Sequence, residues 1–178
     1  RLLAPTLPRQ GRVIDLGTGL GTYAEALLQV RPDLEIWGVD TVEVLALSTQ
    51  AGWRKCPGDV RTLELPPADL VLTCDLMHHL SLRDQAGLAT RLRACVRPDG
   101  RWLIKDLRLE PDRTGPPAGV WFALNTAIFS PQGELADVAQ MAALLQQAGW
   151  QTTTQTLAAA PDSAIWLATH GTGTSIGT

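Results

Sequence analysis

The sequence predicts an α/β domain, a mostly parallel sheet with helices on both faces, and three observations predict it. Short apolar strands alternate with segments of helical periodicity through residues 12–107, the order that builds βαβ units and a parallel sheet. One run, Ala68-Asp69-Leu70-Val71-Leu72-Thr73-Cys74, is nearly continuously apolar, as a strand covered on both faces should be. The first strand, moreover, breaks into three alternate glycines, Gly17, Gly19 and Gly21, where a helix begins. That is the strand-to-helix turn at which open α/β sheets bind ligands.

Taken in order, residues 12–16 are strand one. Residues 20–31 form a helix with Ala24, Leu27 and Leu28 turned inward, stopped by Pro32, which has no amide to continue it. Strand two is 35–40; a helix follows at roughly 41–51 and ends at Gly52. A short third strand lies near 53–56, and strand four is 68–74. Ser81-Leu82-Arg83-Asp84 is a capping-box-like start for a helix to about Val96. Its Leu82, Ala86, Ala89, Leu92 and Val96 recur at helical spacing and are expected in the core. Arg97-Pro98-Asp99-Gly100 turns into strand five, 101–107. After an irregular stretch, residues 135–148 form a helix burying Val138, Met141, Leu144, Leu145 and Ala148, stopped at Gly149. Two last strands, near 150–157 and 163–169, form a hairpin across Ala160-Pro161-Asp162. Residues 1–170 read as one domain, and 171–178, rich in Gly and Thr, as a flexible tail.

Composition narrows the function classes. A chain of 178 residues suits one domain with a full core. No apolar run approaches the ~20 residues needed to span a membrane, and no basic–apolar–small signal peptide opens the chain. It starts at Arg1 without Met, so upstream sequence is expected to be missing. Cys56, Cys74 and Cys95 lack CxxC or Cys/His metal spacing, which suggests reduced thiols in a cytoplasmic protein and no metal. Net charge is −3, and the basic residues thicken only between Arg83 and Arg113. Arg83, Arg91 and Arg93 among them lie on one predicted helix, and the cluster reads as a solvated face rather than a nucleic-acid footprint.

The glycine turn reads Asp15-Leu16-Gly17-Thr18-Gly19-Leu20-Gly21-Thr22. A dinucleotide fingerprint wants a glycine where Thr22 stands, and no Gly-Lys-Ser/Thr of a P-loop occurs. Asp15 would repel a cradled pyrophosphate but suits a ligand carrying an ammonium group. This D-x-G-x-G-x-G arrangement resembles motif I of the class I S-adenosylmethionine (SAM) dependent methyltransferases. The resemblance implies SAM as cofactor, with Asp15, Gly17, Thr18, Gly19 and Gly21 around its amino-acid end. Asp40, about twenty residues on at the tip of strand two, would with Thr41 take the ribose hydroxyls; the alternative for Asp40 is a helix N-cap. Gly58-Asp59-Val60 resembles the family's third acidic position, which bonds the adenine amino group; the alternative for Asp59 is a turn residue after Pro57-Gly58. Cys74 and Asp75, at the end of strand four, complete the expected cofactor contacts. The predicted alternation closed by a hairpin matches the family's sheet, in which strand seven runs antiparallel beside strand five.

Methyl transfer from a sulfonium is an in-line displacement, so a protein contributes positioning and, for a hydroxyl acceptor, removal of a proton. After strand four comes Asp75-Leu76-Met77-His78-His79-Leu80, and histidine suits that task because it titrates near neutral pH. From position alone, a base and a packing residue are equally good readings of His78. Residues 70–150 resemble the small-molecule O-methyltransferases of the caffeate and hydroxyindole type. That implies His78 as general base with the carboxylate of Asp106 beside it. Phe122-Ala123-Leu124-Asn125 resembles the family's Leu-Asn element, putting Asn125, with His79, against the acceptor. Ser130-Pro131-Gln132-Gly133-Glu134 resembles its glycine-bearing turn, with Glu134 as the second carboxylate, and Ala148-Gly149-Trp150 its Ala-Gly-Phe ending. There are departures. His79-Leu80 replaces Asp-Trp, Leu135-Ala136 replaces Arg-Thr, and the family's N-terminal helical dimerisation domain is absent, which implies a catalytic fragment or a compact relative.

The expected function is therefore SAM-dependent O-methylation of a small aromatic or apolar metabolite. The expected partner is that small-molecule acceptor, with neither nucleic acid nor membrane, and a homodimer is left open. Two alternatives stand beside it: a non-catalytic SAM-binding or partner-binding subunit, and a C- or N-methyltransferase on a small molecule. Base-flipping amino-methyltransferases need an (Asn/Asp/Ser)-Pro-Pro-aromatic tetrapeptide where this chain has Cys74-Asp75-Leu76-Met77. In metal-dependent catechol-type enzymes Asp75 and Asp106 would imitate two ligands, but the neighbouring Asn is missing.

Overall fold

The computed structural model describes residues 11–130 and 132–171; the tail expected at 171–178 therefore lies, beyond Gly171, outside the described residues. Its elements run β1 (Arg12–Leu16), α1 (Thr22–Val30), β2 (Glu35–Asp40), α2 (Val42–Leu47), β3 (Arg54–Pro57), β4 (Ala68–Cys74), a 3-10 turn (Met77–His79), α3 (Leu82–Cys95), β5 (Val96–Leu107), α4 (Pro117–Phe129), α5 (Val138–Gln147), β6 (Trp150–Leu157) and β7 (Ala160–His170). The seven strands form one sheet in the order β3-β2-β1-β4-β5-β7-β6. The pairs from β3 to β5 are parallel, and β7 is antiparallel to both β5 and β6. This is the predicted α/β sheet with its antiparallel closing strand. The order reverses between β1 and β4, so the carboxyl ends of these strands open a crevice there.

Side chains alternate along each strand between two cores, one per face. Ile14, Val71, Trp102 and Ile104 pack with Leu88, Leu92, Met141 and Leu145 of α3 and α5. Val13, Leu70, Leu72 and Leu103 pack on the other face with Ala24 and Leu27 of α1 and Leu45 of α2. Each fully buried Leu or Ile contributes about 1.5–3 kcal/mol relative to exposure. β4, flanked by strands on both sides, is buried along nearly its whole length, and β5 from Trp102 to Ile104 beside it.

Several expectations are corrected. The stretch expected to be irregular contains α4, a 13-residue helix. Its Val120, Trp121, Phe122, Ala123, Leu124, Ala127, Ile128 and Phe129 are apolar on every side, so no 3.6-residue stripe marks it, and Pro117 enters at the first turn, where a missing amide costs nothing. In α3 Ala86 is exposed, while Gln85 and Leu88 are buried. The helix starts where expected, after Ser81, its N-cap, which accepts from the Asp84 amide at 3.1 Å. α2 ends at Leu47, short of 51, since Ser48 caps it and its hydroxyl donates to Leu20 O at 2.7 Å. The closing hairpin turns at 158–159 rather than 160–162. Ala160–Asp162 lie within β7, and the β6–β7 register shifts beside them, where Pro161 has no amide for the ladder. In α5 Met141 and Leu145 are buried, and Val138, Leu144 and Ala148 pack half-buried against the core.

Candidate active site

A cavity of about 900 Å³ lies at the carboxyl ends of β1, β2 and β4. Of the residues the sequence singles out, Gly17, Gly19, Asp40, Thr41, Asp59, Val60, Asp75 and His79 line it. Val42, Val44 and Pro57 give it an apolar wall beside Asp59 and Val60, and Asp84 and Gln132, which sequence reading did not single out, also line it.

The glycine turn is held from below. The Gly17 and Thr18 amides both donate to Val39 O, at 2.8 and 3.1 Å, and the Gly19 amide donates to Asp40 Oδ2 at 2.8 Å. Asp15 is 1% exposed. The Thr18 hydroxyl donates to its Oδ2 at 2.8 Å, and its Oδ1 has no hydrogen-bond partner among the described residues. Burial pushes the Asp15 carboxyl up to about 7, opposed by the Thr18 bond and reinforced by Asp40. A buried acceptor left unpaired costs about 1–3 kcal/mol; Asp15 and Thr18 lie behind the turn, off the cavity lining. Gly21 is not on the lining. A Cβ there would come within 2.5 Å of the Trp53 ring, and one on Gly38 within 2.4 Å. The third glycine of the motif thus makes room for Trp53, a buried side chain under the turn that no sequence signal marked.

Asp40 is not the α2 N-cap; Thr41 is, accepting from the Val44 amide at 3.4 Å. Asp40 Oδ1 takes the Thr41 amide at 2.8 Å, which leaves each carboxylate oxygen further lone pairs toward the cavity. Asp59 begins a turn, its carbonyl accepting the Thr62 and Leu63 amides, and also faces the cavity. It is exposed and ion-paired to Arg61 at 2.6 Å, which holds its carboxyl below the usual range. Cys74 is buried and off the lining, and burial pushes its thiol up to about 12. Asp75, at φ 56, pairs through both oxygens with Lys105 Nζ at 2.7 Å.

Beyond β4 the 3-10 turn carries His78, 5% exposed. Its Nδ1 lies 2.7 Å from Asp106 Oδ1, and its amide donates to Asp106 Oδ2 at 3.1 Å. Asp106, 2% exposed, also accepts the Leu107 amide at 2.8 Å. A carboxylate only accepts, so Nδ1 carries the proton and Nε2 is left as the basic nitrogen. The ring meets Phe122 of α4 edge-on at 4.7 Å and His79 at 4.2 Å. His79 is exposed to the cavity, and burial of part of its ring together with His78 lowers its pKa. Gln85, fully buried, ties this segment to the next loop: its amide nitrogen donates to Met77 O, Leu80 O and Glu134 O at 3.0, 3.0 and 2.8 Å. Glu134 is joined here by its backbone, its amide donating to Leu80 O at 3.2 Å. Its side chain is exposed and is not brought to His78. Asn125 is exposed on α4, one helical turn from Phe122.

Among the described residues no helix is long and apolar enough to cross a membrane. A protein-family profile described as a methyltransferase domain matches residues 1–155. The chain is 27% identical over 158 residues, 84% of its length, to the tetracenomycin polyketide synthesis 8-O-methyl transferase TcmO of Streptomyces glaucescens, and spans 47% of that protein. Its structure superimposes on human N-acetylserotonin methyltransferase in complex with SAM with a TM-score of 0.79 at 25% identity, covering 90% of this chain and 48% of that one. An O-methyltransferase-like structure from Nostoc punctiforme gives a TM-score of 0.85 at 21% identity, over 94% of this chain and 54% of the other. The chain thus spans about half the length of the relatives it matches.

Proposed function

The chain belongs to the methyltransferase domain family, and from that premise we propose that it transfers the methyl group of SAM to a hydroxyl of a small aromatic or apolar acceptor. The observation that carries the reading is the buried His78–Asp106 pair one residue from His79 on the cavity wall. A hydroxyl must lose its proton as it attacks, and this pair is built to receive it.

The residues present fit the cofactor. Asp15 offers an unpaired buried oxygen to an ammonium group, and the Gly17–Gly19 turn admits close approach. Asp40 retains lone pairs for two ribose hydroxyls. Val42, Val44, Pro57 and Val60 form an apolar wall for a flat base, with Asp59 at its rim. When bound, SAM supplies a methyl group already activated by its sulfonium. His78 takes the acceptor proton at Nε2, and Asp106 holds the tautomer and offsets the imidazolium charge. His79 and Asn125 face the acceptor, and Asp75 with Lys105 closes the cofactor end. O-methylation is also the activity of its relative TcmO, a tetracenomycin polyketide synthesis 8-O-methyl transferase.

Isothermal titration of the purified protein with SAM tests the cofactor. Saturable binding in the micromolar range, roughly −8 kcal/mol, is expected; no heat and no co-purified SAM or demethylated product in native mass spectra would sink the reading. A second reading, a partner-dependent subunit, is favoured by the exposed apolar face of α4, where Trp121 and Phe129 are 71% and 74% exposed. SAM binding without transfer to any phenolic acceptor, restored by a second chain, would select it.

A further inference from the structure

The loop between β3 and β4 supplies Gly58, Asp59, Val60 and Arg61 to the cavity, yet residues 58–67 contain no helix or strand. A backbone of this kind needs its carbonyls satisfied from elsewhere. Three of them turn to a single side chain on α3. Arg91 Nη1 donates to Val60 O at 3.0 Å and also to Arg61 O, and Nη2 donates to Leu63 O at 2.8 Å. These contacts cross 28 to 31 residues of sequence.

The geometry links this clamp to the cavity. In a trans peptide the carbonyl and the amide point in opposite directions. The Val60–Arg61 peptide directs its carbonyl to Arg91 and its amide, on the other side, to Asp59 Oδ1 at 2.8 Å. Arg91 thereby fixes the plane of the peptide that holds the Asp59 carboxylate at the cavity rim. The planar guanidinium presents its donors in a rigid fork, which a lysine ammonium does not reproduce.

We infer that Arg91 is a positioning residue that sets the affinity of the cavity for the adenosine end of the cofactor, by clamping the Val60–Leu63 carbonyls so that Asp59 and Val60 face the ligand. The inference rests on the cavity being the SAM site. Arg91 itself does not line the cavity; it acts through the loop it clamps and, more weakly, through its charge on the Asp59 carboxyl.

The experiment titrates the wild type, R91A and R91K with SAM and with adenosine, and follows amide hydrogen exchange of residues 59–64 without ligand. R91A is expected to bind both ligands on the order of 10- to 100-fold more weakly, with R91K in between, and to exchange those amides faster. A double-mutant cycle with Asp59→Ala separates this from a general loss of fold: coupling is expected, so that R91A adds little once Asp59 is gone. Wild-type affinity in R91A, or full additivity with Asp59→Ala, overturns the inference. If R91A does not fold, R91K carries the same comparison. If the wild type binds neither ligand, the SAM reading fails and this inference with it. Unchanged exchange at 59–64 instead overturns the clamp while leaving SAM binding intact.

Discussion

On the side of β1 and β2 the site is shaped by main chain, whereas beyond β4 it is shaped by side chains reaching across the fold. The glycine turn hangs by two amides from Val39 O and by a third from Asp40, itself at the tip of the neighbouring strand. The proposed acceptor side depends on His78 meeting Asp106 across 28 residues and on Gln85 meeting Glu134 across 49. Strand ends in a parallel sheet converge by topology alone, so the first arrangement follows once the strands are known. The second requires particular side chains on α3 and β5 and the backbone of the loop before α5 to be in place together. Cofactor capture and acceptor activation are therefore expected to fail separately.

The widest separation is expected at His78. Replacing it with Ala should lower turnover on a phenolic acceptor by on the order of 10²–10⁴ and leave SAM affinity within about twofold, read by titration alongside initial rates. Asp106→Asn should follow it, because the amide no longer enforces the tautomer. Undiminished turnover in both would make the pair a packing element and erase the contrast. On the other side, Asp40→Ala should weaken SAM by about 10²-fold, since hydrogen bonds to a charged group contribute about 1.5–3 kcal/mol and the Gly19 amide loses its acceptor as well. Unchanged affinity would remove Asp40 from the cofactor site.

This contrast also governs how much was legible beforehand. Asp15 through Gly21 and Asp40 sit at strand tips, and strand boundaries are marked by apolar runs, so the cavity could be drawn from the chain alone. β2 and β4 were read to the residue. Trp53, Gln85, Arg91 and Lys105 were invisible, because nothing local distinguishes a tryptophan under a glycine turn or an arginine that clamps a loop. α4 was hidden for the opposite reason: an apolar residue at nearly every position leaves no period to detect. The family resemblance placed Glu134 and Asn125 near the acceptor, but the turn joins Glu134 through its backbone and leaves its carboxylate exposed.

Gln85 offers a subtler separation. Leu in its place keeps the volume but strips the amide from three carbonyls, at a cost of about 2 kcal/mol. Turnover is expected to fall while SAM affinity holds, because all three carbonyls lie on the acceptor side. Chemical denaturation and the same pair of assays decide it; a loss of SAM affinity equal to the loss in rate would mean the two sides share one support.

The smallest expected effect of a substitution, about 1–2 kcal/mol of stability, lies on the cofactor side and has the opposite sign. The Asp15 carboxyl is raised from 3.8 to about 7 in the folded protein, chiefly by burial. A carboxyl raised on folding contributes stability that is fully present below its unfolded pKa and lost as pH climbs through its folded one. The ligand-free protein should therefore weaken between pH 4 and pH 8, by at most on the order of 4 kcal/mol. Asn at this position never ionises and still accepts from Thr18, but its amide nitrogen gains no partner. Asp15→Asn should accordingly be more stable than the wild type at pH 8, by about 1–2 kcal/mol, and less stable at pH 5, while binding SAM more weakly at both. Denaturation curves at the two pH values test the crossing. The same stability difference at both would mean that the buried carboxylate is not held ready for a positive ligand, and the main-chain cradle would then be a structural turn rather than a receptor.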